Sequence, residues 1–502
     1  LLIAALFRLP FLPSNPIAIH ADEASTGYDA YSIWETGKDQ HGVFLPLFAR
    51  SFGEYNEALH RYLVAPSVAL FGLNAFAIRL PNAVVGLVTV WMLFHLALAL
   101  SRNMTVACLA SLFLAISPWH VHFSRWSARA ILMPLFFCLA LFLFLKGKDR
   151  PRYWVFSALS FGLCLYTYSA ARVFVPVFLI GLIWIYRDDL KRRKFAVCIS
   201  ASLFLVIFTR LFLFWITSEG MNRAQELVKP DLMALIHNYI TYFMPDFLFL
   251  NGDTNLRHSI PGMGQLYHFE LLLIPIGIWH VWRTQQTTRA LLFLWFFLYP
   301  IPAAFTGEPH AIRSLMGAPL FALFSGFGCC AVYTKLKTLK HAHIIMASIA
   351  LIAVFNVSIY LKRYYVDYPQ SSAWWWEYGL REAIVYAEEF PDLTIQHAHG
   401  FYTPFYIHVL FHTKFAPEAY QRMPRQVREN RWEFTDKPLK DKYLNLDVTK
   451  LSFDEGGKAL LIMRPEDVPL LNQVDYGWQK VHQIEDPSGK EIISLIEAMP
   501  RQ

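Results

Sequence analysis

The sequence predicts a mainly α, polytopic membrane helical bundle that ends in a small α/β domain. Three observations carry this. Hydrophobic residues make up 55% of the 502 and charged residues only 17%, where soluble domains carry about 25% charge. Apolar runs approaching the length a bilayer requires, about 20 residues, recur through residues 1–361. Charge is also segregated. Residues 362–502 hold 17 Lys and Arg against 21 Asp and Glu, a net of −4, while residues 1–361 hold 28 against 17, a net of +11. An ordinary soluble enzyme, a disordered chain, collagen and a coiled coil are excluded, because there is no low-complexity tract, glycine period or long heptad array. The basic balance belongs to loops beside a membrane, so it does not point to nucleic acid.

Ten apolar runs read as spans: 78–100, 104–118, 130–145, 153–170, 172–186, 195–217, 267–282, 290–306, 312–333 and 343–361. A partial run over 1–7 precedes them and is too short to span. We expect it to be the second half of a truncated first helix, which brings the total to about eleven. Loops rich in Lys and Arg, such as 146–152, 187–194, 283–289 and 335–340, alternate with poorer ones and mark the cytoplasmic side. The other side then receives a long first loop (14–76), a link at 117–129, a fourth loop (218–266), a link at 306–313 and the tail. The expected domains are a membrane domain over 1–361 and an extracytoplasmic α/β domain over 362–502, with the chain in a bacterial inner membrane. In the tail, Trp374-Trp375-Trp376 leads into an amphipathic helix at about 371–389. Strands are expected at 393–398 and 459–463, and a hairpin at 478–484 and 491–496 around Asp486-Pro-Ser-Gly489. All six cysteines fall in predicted spans, so neither a disulfide framework nor a cysteine zinc site is expected.

The outer side holds arginines that the positive-inside rule would place elsewhere: Arg79, Arg125, Arg129, Arg172, Arg210, Arg257 and Arg313. A guanidinium fork suits phosphate and stays charged when partly buried. Arg210 lies within a span, where an ionisable group is costly and usually functional. Together they read as an anionic site at the membrane surface, such as a lipid phosphate. The first outer loop opens His20-Ala-Asp22-Glu23 and continues to Tyr28-Asp29. Asp22 reads either as the N-cap of a helix over about 23–37 or as a general base on a hydroxyl. Further polar clusters hold His120 and His122; Asp253, Arg257 and His258; and Glu308, His310 and Arg313. His-x-His also occurs at 341/343 and 397/399, which weakens it as a metal signal. A divalent cation is the one cofactor considered, with Asp22 and Asp253 as its ligands. No GxxxxGK[ST] or strand-bound GxGxxG motif is present, so nucleotide use has no support.

These segments resemble the bacterial branch of the glycosyltransferase C superfamily, which includes protein O-mannosyltransferases and aminoarabinose transferases. The matching segments are Ala21-Asp22-Glu23-Ala24, Gly27 to Ser32, Leu70 to Asn74, Ile78 to Pro81, Ser117 to Arg125, Tyr166-Thr-Tyr168 with Ala171 to Val173, Gly252 to Pro261, and Pro309-His310-Ala311 with Arg313-Ser314. The resemblance covers nearly all of the membrane part, and an Asp-Glu pair opening the first outer loop is its most specific mark. It implies transfer of a sugar from a polyprenyl phosphate to a hydroxyl of a protein, lipid or glycan, with inversion in a single displacement. Asp22 would be the base with Glu23 beside it. Arg125, Arg172, Arg210, Arg257, His258 and Arg313 would hold the lipid phosphate. Tyr28, Asp29, His120, His122, Tyr168, Asp253 and His310 are further candidates. Two departures stand out: Tyr55-Asn56-Glu57 replaces a Pro-Pro pair, and Arg129 stands where relatives carry an acid. The rival readings are a flippase or transporter of a lipid-linked sugar and an inactive binding relative. Charges gathered at one face without a half-repeat favour the enzyme.

Overall fold

A computed structural model describes the chain except for residues 218–230, 285–287, 308, 398–403, 424–425, 428–432, 435–441, 447–450, 455–456, 474 and 501–502. It falls into two compact units, and neither is continuous in sequence. The first joins residues 1–12 to 79–368, and the second joins 13–78 to 369–502. The first outer loop therefore belongs with the tail, so the units do not divide at 361/362. The reason is apolar burial. Ile19, Ala24 and Tyr28 from the loop share one core with Ile384, Ile407 and Leu460 from the tail.

All ten apolar runs of the first unit are helical, from Ala75–Ser101 to Ala342–Lys362, and Leu2–Arg8 precedes them. Among the described residues, five helical segments are long and apolar enough to cross a membrane: Ala75–Ser101, Arg129–Gly147, Lys194–Trp215, Gly317–Leu336 and Ala342–Ser372. The other runs are shorter than the sequence alone suggests, because turns cut into them. Arg152–Cys164 ends in a turn before Tyr168, Met104–Ile116 ends before Ser117-Pro118, and Arg289–Leu298 breaks at Tyr299-Pro300. Proline cannot donate to a preceding helical turn.

Close helix approach relies on small residues. A Cβ on Gly277 would meet the Phe324 carbonyl, and one on Gly328 would meet that of Leu273. Helices Glu270–Thr284 and Gly317–Leu336 thus touch backbone to backbone. Between them Ser325 Oγ donates to Glu270 Oε2 at 2.6 Å, giving a polar tie inside an apolar contact.

The second unit is an α/β body. Its five-stranded sheet has the spatial order Tyr443–Asn445, Thr394–His397, Ala459–Met463, Glu491–Pro500, Tyr476–Glu485. The first three strands are parallel, and the last two close as the expected antiparallel hairpin. Helix Leu380–Glu388 is shorter than predicted, because a 3₁₀ turn occupies Trp374–Trp376. The loop contributes the hairpin Phe48–Ser51 with Glu54–Glu57, and helices Ala21–Thr36 and Leu59–Phe71.

Candidate functional site

In the second unit, helix Ala21–Thr36 carries the Asp-Glu pair. It is buried on nearly every side. Among its first ten residues, Asp22 alone is exposed. The packing has no slack: a Cβ on Gly27 would meet Phe411 at 2.7 Å and Ile78 at 2.8 Å. Asp22 does not cap the helix. His20 does, accepting the Asp22 backbone N–H on Nδ1 at 3.1 Å. Its Nε2 faces Glu377 Oε1 at 3.1 Å. Nδ1 lies 3.4 Å from Asp22 Oδ2. Glu377 Oε2 accepts the Ala21 backbone N–H at 2.8 Å and faces His408 Nε2 at 2.8 Å. Burial pushes the Glu377 carboxyl up, but His20 and His408 outweigh it and hold the group below its ordinary value of 4.5. Glu377 adopts a left-handed backbone, φ 56°, which is uncommon for a side-chain-bearing residue. The result is one exposed carboxylate standing on a largely shielded His–Glu–His chain. Sequence reading missed Glu377 and His408, which lie more than 350 residues from Asp22 and carry no local motif.

The other acids of this helix behave differently. Glu23 is buried. Asp29 is buried with Arg61 Nε 2.6 Å from Oδ2, and Oδ1 accepts the Gln40 backbone N–H at 3.0 Å. Burial still raises its pKa. Tyr28 is buried and donates to the Phe415 carbonyl at 2.9 Å.

In the first unit the arginines divide into three groups. Arg125 is buried and donates to the Phe7 and Pro10 carbonyls at 3.2 and 2.7 Å, with Nε 3.2 Å from the Tyr364 hydroxyl. It thereby covers carbonyls at the end of helix Leu2–Arg8. Arg8 does the same for helix Met104–Ile116, donating to Leu114 and Ala115. Helix ends expose unmet carbonyls, which are costly away from water. Arg79 is buried and donates to the Leu12 carbonyl. These are struts within the protein.

Arg172 and Arg210 flank a different feature. Helices Arg152–Cys164, Ser169–Ile185 and Lys194–Trp215 line an apolar groove of about 420 Å³ that runs from Trp154 and Leu190 to Phe161, Pro176 and Phe208. Arg172 lies one turn beyond Pro176, and Arg210 two residues beyond Phe208. Tyr166, in the turn between the first two of these helices, donates to the Ile207 carbonyl at 2.9 Å. Arg172 stacks on Trp215 at 5.3 Å, and Arg129 on Tyr168 at 5.2 Å.

A third cluster joins the loop at 251–269 to the link at 306–313. Asp253 Oδ2 lies 3.2 Å from His258 Nδ1 and 3.8 Å from His310 Nδ1. Arg257 and Arg313 act on His258, whose pKa burial lowers. His122 Nε2 donates to the Arg257 carbonyl at 2.7 Å, whereas His120 Nδ1 pairs with Arg8 at 2.9 Å. The two histidines of that His-x-His thus turn to different partners, as i,i+2 neighbours on a helix do. Burial takes His122 to about 4. Glu308 and His399 lie outside the described residues.

The family model described as dolichyl-phosphate-mannose-protein mannosyltransferase matches residues 58–215. No curated protein matches. The structure is similar to that of ArnT from Cupriavidus metallidurans, solved bound to undecaprenyl phosphate, with TM-score 0.56 and 13% identity over 98% of this chain and 96% of that one. It is also similar to the oligosaccharyltransferase AglB from Archaeoglobus fulgidus, solved with an inhibitory peptide and a dolichol-phosphate, with TM-score 0.50 and 13% identity over 82% of this chain and 62% of that one. The fold is therefore the glycosyltransferase C membrane fold, as the sequence motifs imply, and the chain is an integral, multi-pass membrane protein.

Proposed function

We propose that this chain transfers a sugar from a polyprenyl-phosphate donor to a hydroxyl acceptor at the extracytoplasmic membrane face. One observation carries the reading: an apolar groove among membrane helices, with Arg172 one turn beyond Pro176 and Arg210 two residues beyond Phe208 at its far end. A long isoprenoid tail needs the first and its phosphate the second. The family match over 58–215 spans both. The undecaprenyl phosphate bound to ArnT and the dolichol-phosphate bound to AglB agree with this choice of ligand.

In the proposed reaction Asp22 takes the proton of the acceptor hydroxyl. The oxygen attacks the anomeric carbon as the bond to phosphate breaks, and the configuration inverts. Polyprenyl phosphate leaves with both electrons of that bond, and fixed cations offset its growing charge. Arg257 and Arg313 are the further cations we assign to this step. No second acid is required, because phosphate leaves readily without protonation.

The test is transfer of radiolabel from polyprenyl-phosphate sugars to acceptors in an extracytoplasmic-face extract, using purified protein in detergent. Asp22→Asn is expected to lower transfer by about 10²–10⁴-fold while lipid binding persists. Arg172→Gln with Arg210→Gln is expected to weaken retention of the lipid phosphate. Unchanged transfer in Asp22→Asn would sink the proposed base.

A further inference from the structure

We infer that Asp253, His258 and His310 form a binding site for a zinc-class divalent cation, beside Arg257 and Arg313, the cations assigned above to the leaving phosphate; the inference rests on that reading only for its neighbours, not for the metal. One ligand atom from each of the three lies within 4.8 Å of the others. Two imidazole nitrogens converge on a single carboxylate oxygen at 3.2 and 3.8 Å. Tetrahedral zinc with ligands at about 2.0–2.1 Å separates its donors by roughly 3.3 Å, so small ring rotations would close the site. The longer of the two separations exceeds hydrogen-bond reach.

The carboxylate is already aimed. Asp253 Oδ1 accepts the Asn255 backbone N–H at 2.8 Å, and Oδ2 accepts that of Ala311 at 2.8 Å. Outer contacts of this kind orient metal ligands and tune affinity by about 10–100-fold. The surrounding frame is held as well. Tyr242 Oη accepts the His310 backbone N–H at 2.9 Å, Trp119 Nε1 donates to the Ala311 carbonyl at 3.0 Å, and the His258 and His310 rings lie 4.5 Å apart.

The donor set selects the ion. Two imidazoles with one carboxylate suit zinc or cobalt, and disfavour magnesium and calcium, which prefer oxygen. Arg257 and Arg313 stand beside His258, so the site already carries positive charge. Three protein ligands leave a fourth position open, and in that field an anionic oxygen or hydroxide suits it better than a neutral ligand.

The experiment uses the full chain in detergent, stripped with a chelator and titrated with zinc by calorimetry, with cobalt(II) as an optical probe. The expected result is one zinc per chain, a tetrahedral cobalt spectrum and a zinc-dependent rise in the melting temperature that magnesium does not reproduce. His258→Ala and His310→Ala should each weaken zinc binding by on the order of 100-fold or more, given the effect of losing outer contacts alone. His268→Ala, an exposed histidine of the same loop, should leave it unchanged. Absence of saturable binding to the parent protein overturns the proposal without recourse to variants. Binding retained in both His258→Ala and His310→Ala overturns it equally.

Discussion

Two carboxylates seven residues apart on one helix meet opposite fates. Asp22 and Asp29 lie nearly on the same face, since seven residues make close to two turns. Asp22 stands at the first turn, exposed, beside a histidine that is itself anchored. Asp29 is two turns deeper, fully buried and held by Arg61 at 2.6 Å. The lesson is that depth along the helix, not the face, sorts acids into those that can meet a substrate and those that hold the fold. Asp22→Asn should therefore cost transfer and leave stability within about 0.5 kcal/mol.

The sharpest way to break this contrast is to remove the Asp29 partner. Arg61→Met leaves a buried carboxylate without its cation and should cost about 3–5 kcal/mol, read as thermal unfolding in detergent. Asp29→Asn together with Arg61→Met should recover much of that loss, because no charge is then stranded. If Arg61→Met unfolds no more easily than the parent, Asp29 is not a structural anchor and the contrast with Asp22 fails.

A smaller effect probes the same buried end. Asp39 is buried near Asp29 and accepts the backbone N–H groups of His41 and Val43 on Oδ1. Burial first, then the Asp29 charge, raises its pKa from 3.8 to about 6. The folded chain thus holds the proton more tightly than the unfolded chain. Stability falls as pH rises from 3.8 to about 6, and the full cost remains above that. Asn keeps the accepting oxygen without the charge. Asp39→Asn should stabilise the protein at pH 8 by up to about 3 kcal/mol, since each pH unit between the two values is worth about 1.36 kcal/mol. The gain should vanish near pH 4. A gain that does not change with pH would mean that charge burial is not its source.

Much of this was legible in the sequence, for physical reasons that differ by region. Apolar periodicity and length marked the long helices of the first unit but not Leu232–Thr241 in the fourth outer loop, and alternation around Asp486-Pro-Ser-Gly489 marked the hairpin. The pair Asp22-Glu23 was legible as a motif but not as one exposed and one buried acid, because that sorting depends on the core the loop helix shares with the tail. The arginines were legible as a set. Their division was not, since Arg125 caps carbonyls more than 100 residues away. The first loop's union with the tail was hidden for the same reason: a shared core leaves no local pattern when its halves lie some 300 residues apart.

The smallest expected effect returns to the exposed end. Glu377 receives the Ala21 backbone N–H and faces both His20 and His408, so it ties the start of the Asp22 helix to the tail. Its pKa lies below 4.5 despite burial. The unfolded chain therefore takes up that proton first as pH falls. The stability Glu377 contributes is complete above pH 4.5 and is lost as pH drops through its lowered folded value. Glu377→Gln keeps one accepting oxygen and gives up the charge. At pH 7 it should cost about 1.5–3 kcal/mol, the worth of a hydrogen bond to a charged group. Its unfolding curve should also flatten below pH 4.5, where the parent weakens. Transfer should fall with it through kcat rather than KM, because Asp22 remains present but loses its anchored neighbour. If transfer instead stays at the parent level while the acid weakening disappears, the His–Glu–His chain serves the fold alone, and Asp22 differs from Asp29 only in its exposure.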